Sequence, residues 1–223
     1  MTSTKADHLK SPIFSLVEAI TLCLHWLNAV EWLKWVVKAA YRRFNKRSPV
    51  AAAAQLDPLT ADLFIIGKWV LLLWWLVHES YSPIRTWITA YLLFTNVFTY
   101  FHYHAWKIMS VGRYLTAERI QRRLINSILA VAYSMVAFAY LYGGPFRASM
   151  TWSASVDSPR MEALLFSITN SLTVGYGSVQ PGTLGARALC TSQLVNMFFF
   201  ATIIVSASLS TMFGSPAQPT SKD

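Results

Sequence analysis

Five consecutive residues could coordinate a cation that has shed its water: Thr173, Val174, Gly175, Tyr176 and Gly177. A dehydrated cation needs a cage of oxygen atoms, and backbone carbonyls form one when successive C=O groups point the same way. That arrangement requires unusual backbone dihedral angles, which glycine adopts at little steric cost. The Thr173 hydroxyl can add one more oxygen. We therefore predict that these residues, called the TVGYG segment below, bind a cation through their backbone.

The residues on either side of the TVGYG segment are suited to holding it in place. Met161–Leu172 predicts a short amphipathic helix that ends directly before the segment. Pro181 and Gly182 follow and lead into a long apolar run. A chance Gly-Tyr-Gly turn between two helices is the alternative, and these neighbours favour the cation-binding interpretation.

The composition indicates that lipid is the solvent for much of the chain. Hydrophobic residues occupy 54% of the 223 positions and charged residues 13%. A helix needs about 20 apolar residues to cross a bilayer. The first ten residues are polar, so we expect no cleavable signal sequence. Three stretches are long enough to span, and a fourth, shorter one is interrupted by a lysine: Tyr81–Trp106, Leu124–Tyr142, Ala186–Phe213 and Leu63–Val77.

The net charge of +9 arises mainly from two basic clusters. In a soluble protein this charge would suggest nucleic acid as a partner. Near membrane spans, however, an excess of Lys and Arg marks the cytoplasmic side and attracts anionic lipid headgroups. We therefore expect membrane lipids, and no nucleic acid, as partners. The clusters are Lys34, Lys38, Arg42, Arg43, Lys46 and Arg47, and Lys107, Arg113, Arg119, Arg122 and Arg123.

Residues 1–58 are predicted to be a cytoplasmic segment with one amphipathic helix. Over Ile13–Val37, polar residues recur every three or four positions among Leu, Ile, Val and Trp. Such a helix can lie in the membrane interface and keep its polar side wet. Crossing the bilayer and packing against a neighbouring subunit are the alternatives. Arg42–Pro58 is then expected to be a linker.

Residues 59–106 are predicted to form a transmembrane hairpin. Thr60 is expected to cap its first helix, and Ser82 with Pro83 to begin its second. Residues 107–121 would follow as a basic elbow at the membrane interface.

Lys68 would lie inside the first span of this hairpin. Its long side chain can snorkel towards the headgroups, which is the interpretation we favour. The alternative is a buried partner, with Glu118 or Asp62 as candidates.

Residues 122–213 resemble the pore module of the tetrameric potassium channels, in which an outer helix, a pore helix, a filter and an inner helix follow one another. The TVGYG segment carries the resemblance, because it is that family's potassium-selective filter signature. The resemblance implies an all-α membrane protein with four transmembrane helices per subunit and a re-entrant pore helix and filter. It also implies a homotetramer around a central pore and passive permeation of K⁺.

The resemblance also implies roles for the filter residues. Carried over by position, Thr173, Val174, Gly175 and Tyr176 would bind K⁺ through carbonyl oxygens, and Thr173 also through its hydroxyl. K⁺ is then the permeant ligand, and no cofactor is expected. The pore helix would aim its negative C-terminal end at a water-filled cavity, which favours a cation there.

An orientation in the membrane follows from the same resemblance. The filter would lie near the outer face, so the Leu124–Tyr142 span runs outward and Ala186–Phe213 runs inward. Both termini, including the tail at 214–223, are then cytoplasmic, in the plasma or cell membrane. Most of the Lys and Arg residues fall on the inner side in this arrangement, in agreement with it.

The chain departs from the family pattern around the filter. Ser178 stands where many relatives have Asp, Thr169 where several have an acidic residue, and Phe166 where some have Trp. A Trp–Asp hydrogen bond that braces the filter cannot form here. We expect Ser178, Thr169 and Asn170 to provide neutral hydrogen bonds instead.

The inner helix lacks the glycine hinge that is common in the family. Met197 takes that position and Asn196, an amide in an apolar run, precedes it. Asn196 can line the cavity or bond one helix to another. Phe198–Phe200 can face lipid and neighbouring helices or form a hydrophobic constriction. Asn196, Met197 and Phe200 are the cavity or gate candidates.

A voltage-gated channel with a degenerate sensor is one alternative function. A sensor helix needs a positive residue at every third position, and two of the six positions in the best register are uncharged, with no separate linker before the outer helix. We therefore expect no conventional voltage sensor. The register is Lys107, Ser110, Arg113, Thr116, Arg119 and Arg122.

His102 and His104 could sense pH or bind a metal ion. Spaced by two, they do not share a helical face, which favours ordinary packing.

Two further functions compete with a channel. Potassium-uptake transporter subunits resemble the same family but usually repeat the pore unit four times with degraded filters, whereas this chain has one intact copy. An enzyme would need a nucleophile–base pair or a metal-ligand spacing, and the sequence has neither, so we expect no enzymatic activity.

Overall fold

The computed structural model describes residues 12–44, 49–102, 117–153 and 158–213. The protein is mostly helical, and it divides into two compact units, Met1–Ala61 and Asp62–Asp223. The elements of the described residues are α1 (Pro12–Trp26), α2 (Ala29–Phe44), α3 (Pro49–Val77), α4 (Pro83–Phe101), α5 (Ala117–Gly143), β1 (Met150–Trp152), α6 (Pro159–Ser171), β2 (Val179–Pro181) and α7 (Leu184–Phe213).

The N-terminal unit contains two helices where the sequence predicted one. The segments Ser15–Trp26 and Ala29–Tyr41 are bent by 55° relative to each other. Asn28 lies at the break, and its Oδ1 accepts a hydrogen bond of 3.1 Å from the backbone amide of Val30. The side chain therefore caps α2, because it satisfies an amide that the start of a helix leaves open. The prediction of one continuous helix over Ile13–Val37 is wrong.

α3 begins well before the predicted cap at Thr60. Residues 51–54 are four alanines, and alanine is the strongest helix former. The segment predicted to be a linker is therefore helical from Pro49 onward. Thr60 is a buried interior residue of the helix and not its cap.

α4 begins as predicted and has two dissimilar faces. Ser82 Oγ accepts a hydrogen bond of 3.3 Å from the backbone amide of Arg85, and Pro83 is the first helical residue. Several of its polar side chains are buried, and large apolar side chains on one face are exposed. The buried polar residues are Thr89, Thr95 and Asn96, and the exposed apolar residues include Ile84, Trp87 and Phe94.

Residues 117–213 follow the order outer helix, short helix, TVGYG segment and inner helix. α5 ends at Gly143 and α6 begins at Pro159 directly after Ser158, as predicted. An antiparallel pair of strands was not predicted, so the fold is not entirely α-helical. Met150 in β1 lies opposite Pro181 in β2, and Trp152 lies opposite Val179. The pair ties the loop after α5 to the residues that follow the TVGYG segment.

Among the described residues, three helices are long and apolar enough to cross a membrane: Leu59–Val77, Leu124–Gly143 and Leu184–Val205. The bent pair α1 and α2 would make a fourth if it counted as one span. α4 is not among them, because Arg85 and its Thr and Asn residues lower its hydropathy. The sequence predicted four apolar spans, one of them α4, but the hydropathy of α4 is too low for it to count as one.

The core of the second unit lies along α5. Tyr133, Tyr140 and Tyr142 are fully buried there, together with Ala137 and Phe138. Residues of α3, α4, α6 and α7 pack against this cluster, so α5 is the helix around which the others are arranged.

Candidate functional site

The C-terminal end of α6 leads directly into the TVGYG segment. The backbone amide of Thr173 donates to the Asn170 carbonyl at 3.1 Å, and that of Val174 donates to the Thr169 carbonyl at 2.8 Å. Carbonyls of the last helical turn have no partner within a helix. Here they bind the first two residues of the segment, so the position of α6 determines where the segment begins.

The backbone conformation of the TVGYG segment differs from the expected one. Among the described residues, Thr173 has a positive φ of 58° and no glycine has a positive φ. The left-handed conformation is therefore at a β-branched residue, where it is rare, and Gly175 and Gly177 do not use their conformational freedom in this subunit. Val174 is 58% exposed, and Thr173 and Gly175 are also exposed.

Tyr176 is held by a carboxylate that sequence reasoning missed. Its hydroxyl donates a hydrogen bond of 2.5 Å to Glu162 Oε2, in the first turn of α6. This bond, together with partial desolvation, raises the pKa of the Tyr176 phenol above its ordinary value. The two residues lie 14 positions apart. The available sequence signal was an acidic residue near the start of the predicted helix that precedes the TVGYG segment.

A second support that was missed is Gln193 of α7, which is fully buried. Its Oε1 accepts hydrogen bonds from the Tyr142 hydroxyl at 2.7 Å and from Asn170 Nδ2 at 2.8 Å. Its Nε2 lies 2.7 Å from both Ser167 Oγ and Ser171 Oγ. The sequence signal was an amide three residues before Asn196 in the same apolar run.

The four residues predicted to support the filter take different positions. Asn170 belongs to the Gln193 network, and Thr169 contributes its backbone carbonyl while its hydroxyl bonds its own helix at 2.9 Å. Phe166 is buried edge-on against Tyr142, with ring centroids 5.0 Å apart. The Ser178 carbonyl accepts a bond of 2.9 Å from the Ser153 amide.

The three cavity or gate candidates on α7 also differ from one another. Asn196 is buried, and no described residue provides a hydrogen-bond partner for its Oδ1. Met197 is half-buried. Phe200 is 2% exposed and packs on Tyr100 with ring centroids 5.3 Å apart, so its ring faces the interior of its own subunit. Phe198 and Phe199 are the exposed rings of this stretch.

Lys68 does not snorkel: it has a buried partner, as the alternative proposed, and this partner is not Asp62. The residue is 7% exposed, and its Nζ donates to Asn96 Oδ1 of α4 and lies 4.4 Å from the centre of the Tyr133 ring. Asp62 instead binds Arg122 at 2.6 Å, and the side chain of Glu118 lies outside the described residues. The sequence could not identify Asn96, because the contact joins two separate helices.

Asn96 extends this contact to α5. Its Nδ2 donates to the Ala130 carbonyl at 2.9 Å and to Ser134 Oγ at 3.2 Å. Lys68 and Asn96 therefore link α3 and α4 to α5 within the second unit.

The structure describes one of the two histidines that could sense pH or bind a metal ion. His102 stacks on Phe98 with ring centroids 5.8 Å apart, in keeping with ordinary packing. His104 lies outside the described residues. The described part of the chain contains no group of three or more His, Cys, Asp or Glu side chains placed to bind a metal ion.

The structure has apolar helices of spanning length and a short helix that leads directly into an exposed loop. This combination is typical of membrane proteins of the channel type. A comparison with protein families agrees: the family model described as "Ion channel" matches residues 126–213, from α5 through α7. This segment is less than half of the chain, and the match indicates an ion channel. No curated protein and no solved structure matches the chain in the corresponding comparisons.

Proposed function

We propose that this protein is a potassium-selective channel through which K⁺ permeates passively. The observation that carries the proposal is the position of the TVGYG segment: it lies inside the matched residues 126–213 and directly follows the C-terminus of α6. The matching family includes potassium channels. The carbonyl oxygens of Thr173, Val174, Gly175 and Tyr176 would replace the water shell of the ion. K⁺ is the permeant ligand, and we propose no other cofactor.

The electrostatics of α6 favour a cation at this place. A helix carries about half a negative charge at its C-terminus, where carbonyls lack partners. α6 has 13 residues, enough to form such a dipole, and its last turn adjoins Thr173. In a tetramer, four such ends would converge on the ion path.

We propose that four copies of the chain assemble around the pore. One subunit supplies one TVGYG segment, which cannot surround an ion alone. Apolar residues in and around the segment are exposed in the subunit, including Leu172, Val174, Val195 and Phe198. Contacts between copies would cover this surface. We further propose that Gly175 and Gly177 adopt the conformation of the carbonyl cage on assembly.

We propose four spans per subunit, with α4 as the fourth. α4 can cross the bilayer despite its composition, because Thr89, Thr95 and Asn96 are buried within the subunit and its exposed face is apolar. Both termini would then be cytoplasmic in the cell membrane, with the basic clusters and α2 near anionic headgroups. Gating without a conventional voltage sensor is part of the proposal.

The test is K⁺ flux into liposomes containing the purified protein, with the reversal potential measured in K⁺ and Na⁺ gradients. Gly175→Ala is the critical variant, because a methyl group at this position meets no atom within 4 Å in the subunit. Its folding should be normal, whereas four methyl groups in the pore should abolish K⁺ flux.

Gly67→Ala in α3 is the matched control. A methyl group there also meets no atom within 4 Å, and the residue is remote in sequence from the TVGYG segment. We expect this variant to conduct like the wild type. Unchanged K⁺ flux through Gly175→Ala, or a wild type that does not distinguish K⁺ from Na⁺, would refute the proposal.

A further inference from the structure

We propose that Gln193 is the positioning residue of the filter, a role that rests on the proposed channel function. Its side chain joins three helices at one point: Tyr142 of α5, Asn170 of α6 and Gln193 of α7 itself. Glutamine is costly in a buried apolar environment unless all its polar atoms are bonded. Here both ends of the amide are bonded, so the residue locks the short helix between the outer and inner helices.

The Cys190 carbonyl determines which end of the Gln193 amide faces Asn170 and Tyr142. Asn170 Nδ2 lies 3.3 Å from the Cys190 carbonyl, which can only accept. Asn170 must therefore turn its NH₂ group towards this side. The same nitrogen lies 2.8 Å from Gln193, so Gln193 must present Oε1 to it. That oxygen also accepts the Tyr142 hydroxyl.

The nitrogen side of the amide is determined in the same way. Ser167 Oγ donates to the Met135 carbonyl at 2.7 Å, and Ser171 Oγ donates to the Ser167 carbonyl at 2.7 Å. Both hydroxyl protons are thus used, and each hydroxyl oxygen accepts from Gln193 Nε2. The Ser167 carbonyl is a third acceptor of Nε2, at 2.9 Å, so the two N–H groups are shared among three oxygens. This orientation of the amide bonds both of its ends.

The network reaches the ion path through α6. The carbonyl of Asn170, whose side chain Gln193 holds, accepts the backbone amide of Thr173. Loss of the Gln193 amide would leave the Tyr142 hydroxyl and the Asn170 amide without a shared acceptor, and the last turn of α6 could then shift. We infer that Gln193 sets the selectivity of the filter through the position of this turn, without touching the ion.

The test is Gln193→Met, which keeps the length of the side chain and removes its hydrogen bonds. We expect the K⁺ over Na⁺ permeability ratio to fall about tenfold, because the last turn of α6 would no longer hold the start of the TVGYG segment in place. The current should also decline faster when external K⁺ is low. Gln121→Met, the same change at an exposed glutamine of α5, is the matched control and should match the wild type.

Two smaller changes keep the test decisive if Gln193→Met does not fold. Tyr142→Phe removes one donor to Oε1, and Ser171→Ala removes one acceptor of Nε2. Each should lower the permeability ratio in the same direction by a smaller factor, at unchanged tetramer yield.

The outcomes separate this inference from the proposed function. A wild type without K⁺ selectivity would overturn the function itself. If the wild type is K⁺-selective, and Gln193→Met and Tyr142→Phe both keep its permeability ratio and its rate of current decline, only the role of Gln193 is overturned. Loss of tetramer yield at unaltered selectivity would also overturn it, because Gln193 would then be needed for folding and not for positioning.

Discussion

At the scale of single residues, Tyr176 and Glu162 form a hydrogen bond that can hold the TVGYG segment. The Trp–Asp hydrogen bond that has this role in the resembling family cannot form in this sequence. Phe166 cannot make the hydrogen bond of a tryptophan, and Ser178 cannot replace an aspartate. The bond from the Tyr176 hydroxyl to Glu162 Oε2 connects the TVGYG segment to the start of α6 instead. Hydrogen bonds to an ionised acceptor are about twice as strong as neutral ones. One carboxylate can therefore take the place of the missing pair.

Replacing Glu162 by Gln tests this brace. The amide oxygen of Glu162→Gln can still accept the Tyr176 hydroxyl, but the bond loses its charge. We expect K⁺ current that declines a few-fold faster, measured in planar bilayers at low external K⁺. Met161→Leu, at the exposed neighbouring position, is the control. A Glu162→Gln channel with wild-type current decline would contradict the role of the carboxylate.

Alkaline pH provides a second test at this scale. The bond to Glu162 raises the pKa of Tyr176 above the ordinary phenol value of about 10. A raised pKa in the folded state means that the brace is complete below the ordinary value and is lost as pH rises through the raised one. We expect constant K⁺ current from pH 7 to about 10 and a decrease above that range. Tyr176→Phe should lack this alkaline decrease, and a decrease already at neutral pH in the wild type would argue against the assignment.

At the scale of elements, the α3–α4 hairpin is fastened to α5 and α6 at several levels. Between α3 and α4, Glu79 binds Arg160 of α6. In the middle, Asn96 joins Lys68 to α5. Before Lys68 in α3, Asp62 binds Arg122 of α5 at 2.6 Å. Both members of that last pair are half-exposed, so it contributes little stability, whereas the buried contact of Lys68 contributes more.

The Lys68–Asn96 contact predicts an asymmetry between two variants. Asn96→Leu leaves the lysine amine buried without its acceptor and should destabilise the protein by about 3–5 kcal/mol. Lys68→Met removes the amine but leaves the buried Asn96 Oδ1 without its donor, so it should cost less, about 1–3 kcal/mol. In the double variant, the cost of Asn96→Leu should largely disappear, because the two residues interact directly.

Thermal unfolding in detergent measures these changes. Trp87→Phe, on the exposed face of α4, is the control and should leave the melting temperature nearly unchanged. Additive effects of Asn96→Leu and Lys68→Met would show that the two side chains do not interact in the folded protein.

At the scale of the whole molecule, the apolar surface left open around the TVGYG segment predicts the oligomeric state. Native mass spectrometry in detergent should give four times the 25.1 kDa mass of one chain. Val174→Asp would place four carboxylates at the shared surface, so we expect the tetramer fraction to fall sharply. Leu63→Asn, a polar substitution at an exposed position of α3, is the control and should leave the tetramer fraction unchanged. A stable monomer that conducts K⁺ would rule out the proposed assembly.

Much of the helical architecture could be predicted from the sequence, because its determinants are local. The Ser82-Pro83 start of α4, the end of α5 at Gly143 and the start of α6 after Ser158 depend on residues within one helical turn. Predictions failed where two local preferences compete. Asn28 favours a cap over a continuing helix, and the alanines at 51–54 extend α3 into the supposed linker.

The supports of the candidate site could not be predicted in the same way. Gln193 and Tyr142 lie 51 positions apart, and Lys68 and Asn96 lie 28 apart. Nothing in the spacing of such residues shows that they meet. Their partners depend on the rotation and depth at which each helix packs, and these are set by the whole core around α5.

The sequence by itself determined the TVGYG segment, the order of helices around it and the apolar stretches that indicate a membrane, since each is written in neighbouring residues. Tertiary structure alone decided which polar side chains are buried together: Gln193 with Tyr142 and Asn170, Glu162 with Tyr176, and Lys68 with Asn96. The physical reason is that a polar group removed from water must find a partner, and the partner it finds depends on which helix surfaces packing brings within about 3 Å.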